Sequence, residues 1–334
     1  MKVTISDLAK YLGLSEATVS LALNDKKGVS PRTKKMVLEA AEKLGYTPDY
    51  FARSLATQQG TSIGLIVPEI ENPFYGALTQ AIDHYAREKG YQLLLGISDF
   101  SIETEEQLIR HFISMRATGI LISPTYAWHT PESYRELVAA HAKGIIYVGA
   151  HYEFNHHYVM TNLMEGSFRL TSNLLEKGYS NIVFISGDPD IVIAKDRLMG
   201  YYAAHMQRGL TVSADNVVRA EHFQFEEAYH ITRDLLKREP LPHAIITMND
   251  VMALGVMKAA LEAGLRIPQD LAVAGYDDVL FASLATVPLT TVRQPIREVA
   301  RIAVEHLLNM DRQEQEERFL QIKITPEIII RQST

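Results

Sequence analysis

"ISDLAKYLGLSEATVSLALN", residues 5–24, holds two short helical patterns around one glycine, and its reading decides what stands at the head of the chain. Ile5, Leu8, Ala9 and Leu12 recur at helical spacing and make one apolar face. Ser6 is expected to cap this helix, with Asp7 favourable beside its positive end. Gly13 breaks the pattern where a tight turn needs a residue without Cβ. Ser15 caps a second helix, which turns Val19, Ala22 and Leu23 inward and leaves Glu16, Ala17, Ser20 and Leu21 outward. "GVSPRTKKMVLEAAEKLGY", residues 28–46, gives a third: Ser30 as cap, Pro31 at the first helical position, Gly45 just past the end, and Met36, Val37, Ala40 and Leu44 as the inner stripe.

Two helices joined by about three turn residues around a glycine form a helix-turn-helix signature. In such a unit the second helix enters the major groove, where small side chains permit close approach, apolar ones touch thymine methyls, and serine bonds several base edges. On spacing alone, a plain three-helix bundle with an incidental surface leucine stands beside that reading.

The total charge of −7 argues against nucleic acid only if it is read as a whole. Residues 1–60 carry nine Lys and Arg against six acids, a net +3, whereas the remainder carries −10. A basic head on an acidic body places phosphate contact in the head. The 334 residues suffice for two or three domains. No apolar run is long enough to span a membrane, and the polar N-terminus lacks a signal-peptide core. With no cysteine, disulfide and thiolate chemistry are excluded, consistent with a cytoplasmic protein.

From about residue 61 the pattern becomes apolar runs alternating with amphipathic helices. "SIGLIVP", "YQLLLGI", "GILISP", "GIIYVG", "NIVFISG", "HAIITM" and "DLAVAGY" read as buried parallel strands. Helix–Gly–strand junctions recur in "AREKGYQLLL", "AHAKGIIYV" and "LLEKGYSNIVFI". Two doubly wound halves fit the length, and ligands on such sheets bind at the carboxyl ends of the strands. The residues just past those ends are polar or aromatic: Asn72-Pro73-Phe74-Tyr75, Asp99, Tyr126, His151, Asp188, Asn249-Asp250 and Asp277-Asp278. Such groups suit a polyhydroxylated or heterocyclic small molecule, although several would serve equally as helix caps.

These residues carry a resemblance. "ISDLAKYLGLSEATVSLALN" with "VSPRTKKMVLEAAEKLGYTPDYFARSLATQ", followed by "IGLIVPEIENPFY", "MNDVMALGVM", "VAGYDD" and "PLTTVRQP", resembles the LacI/GalR family of bacterial transcription regulators in colinear order over nearly the whole chain. The resemblance implies an all-α helix-turn-helix head (1–47), a hinge helix or linker (48–60) and an α/β periplasmic-binding-protein-like body (61–334). The body would comprise two doubly wound parallel-sheet subdomains, about 61–161 with 292–322, and about 162–291 with 323–334. Three crossings would join them, near Asn162, Val292 and Lys323.

For the head, the resemblance places Ser15, Glu16, Ala17, Ser20 and Leu21 at base-reading positions, and Thr4, Asn24, Ser30, Thr33 and Tyr46 at the DNA backbone or its edge. It implies that Leu55 wedges into a minor-groove step and that Ala52 lies near the groove floor. For the body it implies effector contacts from Phe74, Tyr75, Arg197, Phe223, Asn249 and Asp277, beside the strand-end candidates Asp99, Tyr126 and His151. The sequence departs from the family at Leu21, where members often carry a guanine-reading arginine, and at Asp49, usually asparagine. It departs again at Gly149 and Ala150, where many members carry an acid and then an arginine, so no sugar clamp by that arginine is available.

The implied protein is a cytoplasmic repressor, nucleoid-associated when bound, acting as a homodimer or tetramer on a pseudo-palindromic operator under a small-molecule effector. A sugar or sugar derivative is the expected effector. A nucleobase or nucleoside, or a protein corepressor, is the alternative. No cofactor is expected and no enzyme is indicated, since no phosphate loop, dinucleotide fingerprint, nucleophile elbow or H-E-x-x-H occurs. A transport solute-binding protein and a ribosyl hydrolase are the competing classes. His151, His156 and His157 in "HYEFNHHY" are expected in a solvated loop rather than on a metal, and Asp188 and Asp190 in a polar loop rather than as a catalytic pair.

Overall fold

The computed structural model describes residues 3–24, 28–46, 61–125, 130–310 and 319–334. Two compact units divide the chain at residues 59 and 60. The hinge stretch with Asp49, Ala52 and Leu55, and the loop with Tyr126, lie outside the described residues.

The head is three helices, α1 (Ile5–Leu12), α2 (Glu16–Leu23) and α3 (Pro31–Lys43). Leu8, Val19 and Val37, one from each helix, are fully buried against one another's neighbours Ala9, Ala22 and Ala40. Ser15 Oγ accepts the N–H of Thr18, and Ser30 Oγ that of Thr33, both at 3.1 Å. Gly13 and Gly45 take the left-handed conformation at φ 64° and 65°. Two expectations shift. The cap of α1 is Thr4, not Ser6, because Asp7 three residues on completes a reciprocal box: Thr4 N–H donates to Asp7 Oδ2 (2.9 Å) and Asp7 N–H to Thr4 Oγ1 (3.2 Å). In α3, Ala41 is buried while Met36 is 40% exposed, since the stripe runs through Val37, Ala40 and Ala41.

In the body, β1 (Ser62–Val67), β2 (Gln92–Ile97), β3 (Gly119–Ile122), β4 (Ile145–Val148), β5 (His157–Thr161) and β11 (Gln321–Ile324) form one parallel sheet, ordered β11-β5-β4-β3-β1-β2. Helices cover both faces. Ile63 and Leu65 of β1 meet Leu78 and Ile82 of α4 (Pro73–Glu88) and Val304 of α12 (Ile296–Asn309). Ile66 points the other way, to Ile109 and Phe112 of α5 (Ile102–Ser114) and Tyr134 of α6 (Glu132–Ala140). That alternation is the two-residue period of a strand buried on both sides. β2 is an edge strand with Leu95 and Ile97 exposed, so "YQLLLGI" is not buried as its run of leucines predicts.

A second parallel sheet, ordered β7-β6-β8-β9, comprises β6 (Ile182–Ser186), β7 (Val217–Arg219), β8 (Ala244–Thr247) and β9 (Ala272–Ala274). On it lie α7 (Leu163–Glu176), α8 (Val192–Gln207), α9 (Phe225–Leu235), α10 (Asp250–Glu262) and the short α11 (Leu280–Leu284). α7 and α8 approach closely at Gly200, where a Cβ would stand 2.2 Å from the carbonyl oxygen of Met164. An antiparallel pair, β10 (Thr291–Arg293) with β12 (Glu327–Ile329), lies beside the passages between the sheets. Passages occur after Thr161 and after Arg293; the third follows Ile324, because Lys323 still pairs with Met160 in the first sheet.

"HYEFNHHY" is not a solvated loop. His157 begins β5, and His156 is buried between the rings of Tyr147 (4.3 Å) and Phe154 (4.6 Å). No metal-competent cluster of His, Cys, Asp or Glu occurs among the described residues.

Candidate functional site

The head presents its second helix on a short capped frame. Ser15, Glu16 and Ala17 are exposed at the start of α2, with Ser20 and Leu21 half-buried one turn later. Leu21 leans toward Gly28: its Cδ1 lies 3.8 Å from where a Cβ would stand there. Asn24 closes α2, its Nδ2 donating to the Ser20 carbonyl at 2.8 Å. Thr4, Ser15 and Ser30 are the N-caps of the three helices, so each marks a helix start where backbone N–H groups favour a phosphate. Thr33 Oγ1 sits 2.8 Å from Ser30 Oγ, and Tyr46 packs on the head core. The Thr4 hydroxyl is already engaged with Asp7 Oδ2 at 2.7 Å.

The body's cleft opens where strand order reverses in both sheets, at the carboxyl ends of the strands. It encloses about 420 Å³, part of it open to solvent. The first sheet sends in Asn72, Phe74 and Tyr75 after β1, Ser123 after β3, and Gly149 and Ala150 after β4. The second sends Ile193 and Arg197 from α8, Phe223 after β7, Met248 and Asn249 after β8, and Asp277 after β9. Gln294 enters from the second passage.

Local chemistry fixes most of these side chains. Asn72 Oδ1 accepts the N–H of Phe74 at 3.0 Å, and Phe74 and Tyr75 meet edge to face at 5.2 Å. Asn249 Oδ1 caps α10 through Met252 N–H at 2.8 Å, while its Nδ2 donates to the Phe223 carbonyl at 3.1 Å. The Phe223 ring lies against Gly187, where a Cβ would come within 2.3 Å of it.

Arg197 and Asp277 are both buried and paired, with the guanidinium NH2 donating to Asp277 Oδ1 at 3.4 Å. The guanidinium also donates to the Met248 carbonyl and lies 3.9 Å above the Tyr276 ring, an arrangement suited to a planar cation. Burial pushes the Asp277 carboxyl up to about 6 against the pull of Arg197 and the Gln294 bond. Behind it, burial and the charge of Asp277 raise the Asp250 carboxyl well above the carboxylate range, although Thr291 Oγ1 (2.6 Å) and Val279 N–H (2.8 Å) both bond it.

Phe74, Tyr75, Arg197, Phe223, Asn249 and Asp277 thus converge on one cleft. Asp99 and His151 do not. Asp99 is exposed after edge strand β2, outside the point where strand order reverses. The His151 ring stacks on Tyr158 at 4.3 Å, with Nδ1 2.7 Å from the Tyr152 carbonyl. Asp278 is held by Arg293 and Arg331, and Asp188 by Arg219. Sequence reasoning missed Gln294, Ser123, Ile193 and Met248. The last two are plain apolar residues, and Gln294 arrives from a passage remote in sequence.

Comparison with known proteins agrees on both units. Residues 4–49 match the bacterial regulatory proteins, lacI family, and residues 171–334 the periplasmic binding protein-like domain. The chain is 32% identical over 332 residues to the HTH-type transcriptional repressor PurR of Pasteurella multocida, covering 99% of this chain and 98% of that one. It is 32% identical over 308 residues to the ribose operon repressor of Escherichia coli K12, covering 92% of each. The lac repressor dimer bound to operator and the anti-inducer ONPF superposes with a TM-score of 0.87 at 24% identity, over 100% of this chain and 99% of that one. The regulator CelR with cellobiose gives 0.72 at 26%, over 100% of both.

Proposed function

This chain belongs to the lacI family of bacterial regulatory proteins and is a DNA-binding transcriptional repressor rather than an enzyme, and from that premise we propose that its operator affinity is set by a small molecule held between the two subdomains of the body. The observation that carries the proposal is the convergence of Phe74, Tyr75, Arg197, Phe223, Asn249 and Asp277 on one cleft. A sugar or sugar derivative is the proposed effector class. The buried carboxylate–guanidinium pair supplies acceptor and donor for hydroxyls, and the aromatic rings supply apolar faces. A nucleobase or nucleoside is the second reading, favoured by the similarity to repressors named PurR.

Residues 1–47 act as the reading head, with Ser15, Glu16, Ala17, Ser20 and Leu21 toward bases and Thr4, Asn24, Ser30, Thr33 and Tyr46 toward the backbone. Residues 48–60, including Ala52 and Leu55, act as the hinge in the minor groove. The working unit is a homodimer, with a tetramer as a further assembly, in the cytoplasm and at the nucleoid. Exposed Leu95, Ile97 and Phe100 around the edge strand, and Leu280, Phe281 and Leu284 on α11, are apolar surface of the kind a partner copy covers. Effector binding and operator binding are coupled reciprocally. The test is fluorescence anisotropy with DNA selected from a random pool. Salt-sensitive, sequence-preferring binding that a cleft ligand shifts is expected, and ligand-indifferent binding would reject the effector role.

A further inference from the structure

α8 belongs to the second sheet, yet its charged residues find their partners on the first. The helix starts with no side-chain cap bond and no acid in its first turn, and Lys195 stands near that positive start, where a cation is unfavourable. The missing acid comes from the other subdomain. Lys195 Nζ donates at 2.7 Å to Glu153 Oε1, in the segment between β4 and β5. One residue on, Asp196 Oδ2 accepts from Lys323 Nζ of β11 at 3.0 Å. Among the described residues, none of these four groups forms an ion pair within its own subdomain. The bond between them pulls the Glu153 carboxyl below its usual range and raises the Lys195 ammonium, so both stay charged.

The two pairs run in opposite senses. The first subdomain supplies the anion to Lys195 and the cation to Asp196. A slip of α8 that exchanged the partners would set Lys195 against Lys323 and Asp196 against Glu153, so the charges fix one register. Lys195 and Asp196 directly precede Arg197, which turns into the cleft.

We propose that Glu153–Lys195 and Asp196–Lys323 form an ionic latch between the two subdomains, which favours the observed arrangement of the body and loosens as ionic strength rises. Surface pairs are weak singly. Subdomain arrangements in exchange also differ by little, so a modest bias decides between them.

The native chain has no cysteine, so Arg135→Cys on α6 and Gln207→Cys at the end of α8 put one spin label on each subdomain. Labelled full chain is mixed with an excess of unlabelled chain, so that few labelled copies meet each other. Pulsed electron resonance should give one narrow distance in dilute salt. That distance should broaden in about 1 M potassium chloride, where screening acts within about 3 Å. Adding Lys195→Glu and Lys323→Glu should broaden it in dilute salt, with the population outside the narrow peak raised by about fivefold. Adding Glu153→Lys and Asp196→Lys to those two changes exchanges the charges in both pairs and should restore the narrow peak. A native distance indifferent to salt would overturn the latch, and so would a broadening that the charge exchange fails to reverse.

Discussion

Gln294 Nε2 donates to Asp277 Oδ1 at 2.7 Å, while Gln294 Oε1 accepts from Thr161 Oγ1 at 2.6 Å. One buried amide thus ties the end of β5, at the first passage between the sheets, to the carboxylate in the cleft of the other subdomain. A ligand that bonds Asp277 acts on the same group that holds the two subdomains together there. Gln294→Leu leaves a buried hydroxyl and a carboxylate oxygen each short of a partner, a cost of about 1–3 kcal/mol. Urea denaturation should show that loss. Operator titration should show a blunted response to the cleft ligand with basal operator affinity retained.

Asp277→Ala should cost more, because it strands the Arg197 guanidinium in a buried site. Removing one partner of a buried pair costs about 3–5 kcal/mol. The effector response should disappear while DNA binding survives at a temperature where the variant is folded. Asp277→Asn, which keeps an acceptor for Gln294 and Arg197, should recover most of the stability. A normal effector response in the alanine variant would remove Asp277 from the site.

How much of this was legible in the sequence depended on whether the signal was local. The caps Ser15 and Ser30 and the turn residues Gly13 and Gly45 stand out because each acts within a few residues of itself. The cap of α1 was misplaced by two residues because Thr4 and Ser6 are both competent, and only the box with Asp7 separates them. Strand-end position found Phe74, Asn249 and Asp277, yet also nominated Asp99 and His151. Strand order and side-chain direction decide those cases, and neither is written in a single segment. Gln294 could not be found this way, since its partners Thr161 and Asp277 lie on other elements. Likewise, His156 reads as polar and is buried only because Tyr147 and Phe154 converge on it from elsewhere in the fold.

Gly187→Ala should disturb the cleft without touching a polar group. The added methyl would overlap the Phe223 ring, which must swing away from its present place. Overpacking of this kind costs about 1–3 kcal/mol. Calorimetry with a small molecule that binds the cleft of the native protein should show affinity reduced by about tenfold or more. Unchanged affinity would mean that Phe223 does not contact the ligand.

A buried carboxyl outside the cleft predicts a pH dependence. Glu105 accepts from Tyr134 and Tyr152 hydroxyls on Oε1 and from Thr125 N–H, at 2.8 Å, on Oε2, yet burial pushes it up to about 7. Its folded value therefore lies above the 4.5 of an exposed glutamate, so the folded state holds this proton more tightly than the unfolded chain. Stability from this group is lost as pH rises from about 4.5 to about 7 and is level above that. Glu105→Gln removes the titration. Denaturation midpoints at several pH values should show native protein losing about 3 kcal/mol relative to the variant across that window. A constant difference between the two would show that Glu105 does not titrate there.

Leu21 carries the sharpest prediction about DNA. It stands on the second helix one turn beyond exposed Glu16 and Ala17, half-buried against the Gly28 position. A leucine there offers a methyl-bearing surface to a base edge and no donor, whereas arginine bonds guanine at two atoms. Leu21→Arg replaces a half-buried apolar side chain with a long one whose head can reach solvent or the groove, so the head should stay folded. Binding-site selection should then show base preference changed toward guanine at one position in each half-site, worth about 1–3 kcal/mol there, with the other positions unchanged. If the selected sites of variant and native protein are the same, Leu21 serves only to pack α2 against the turn before α3.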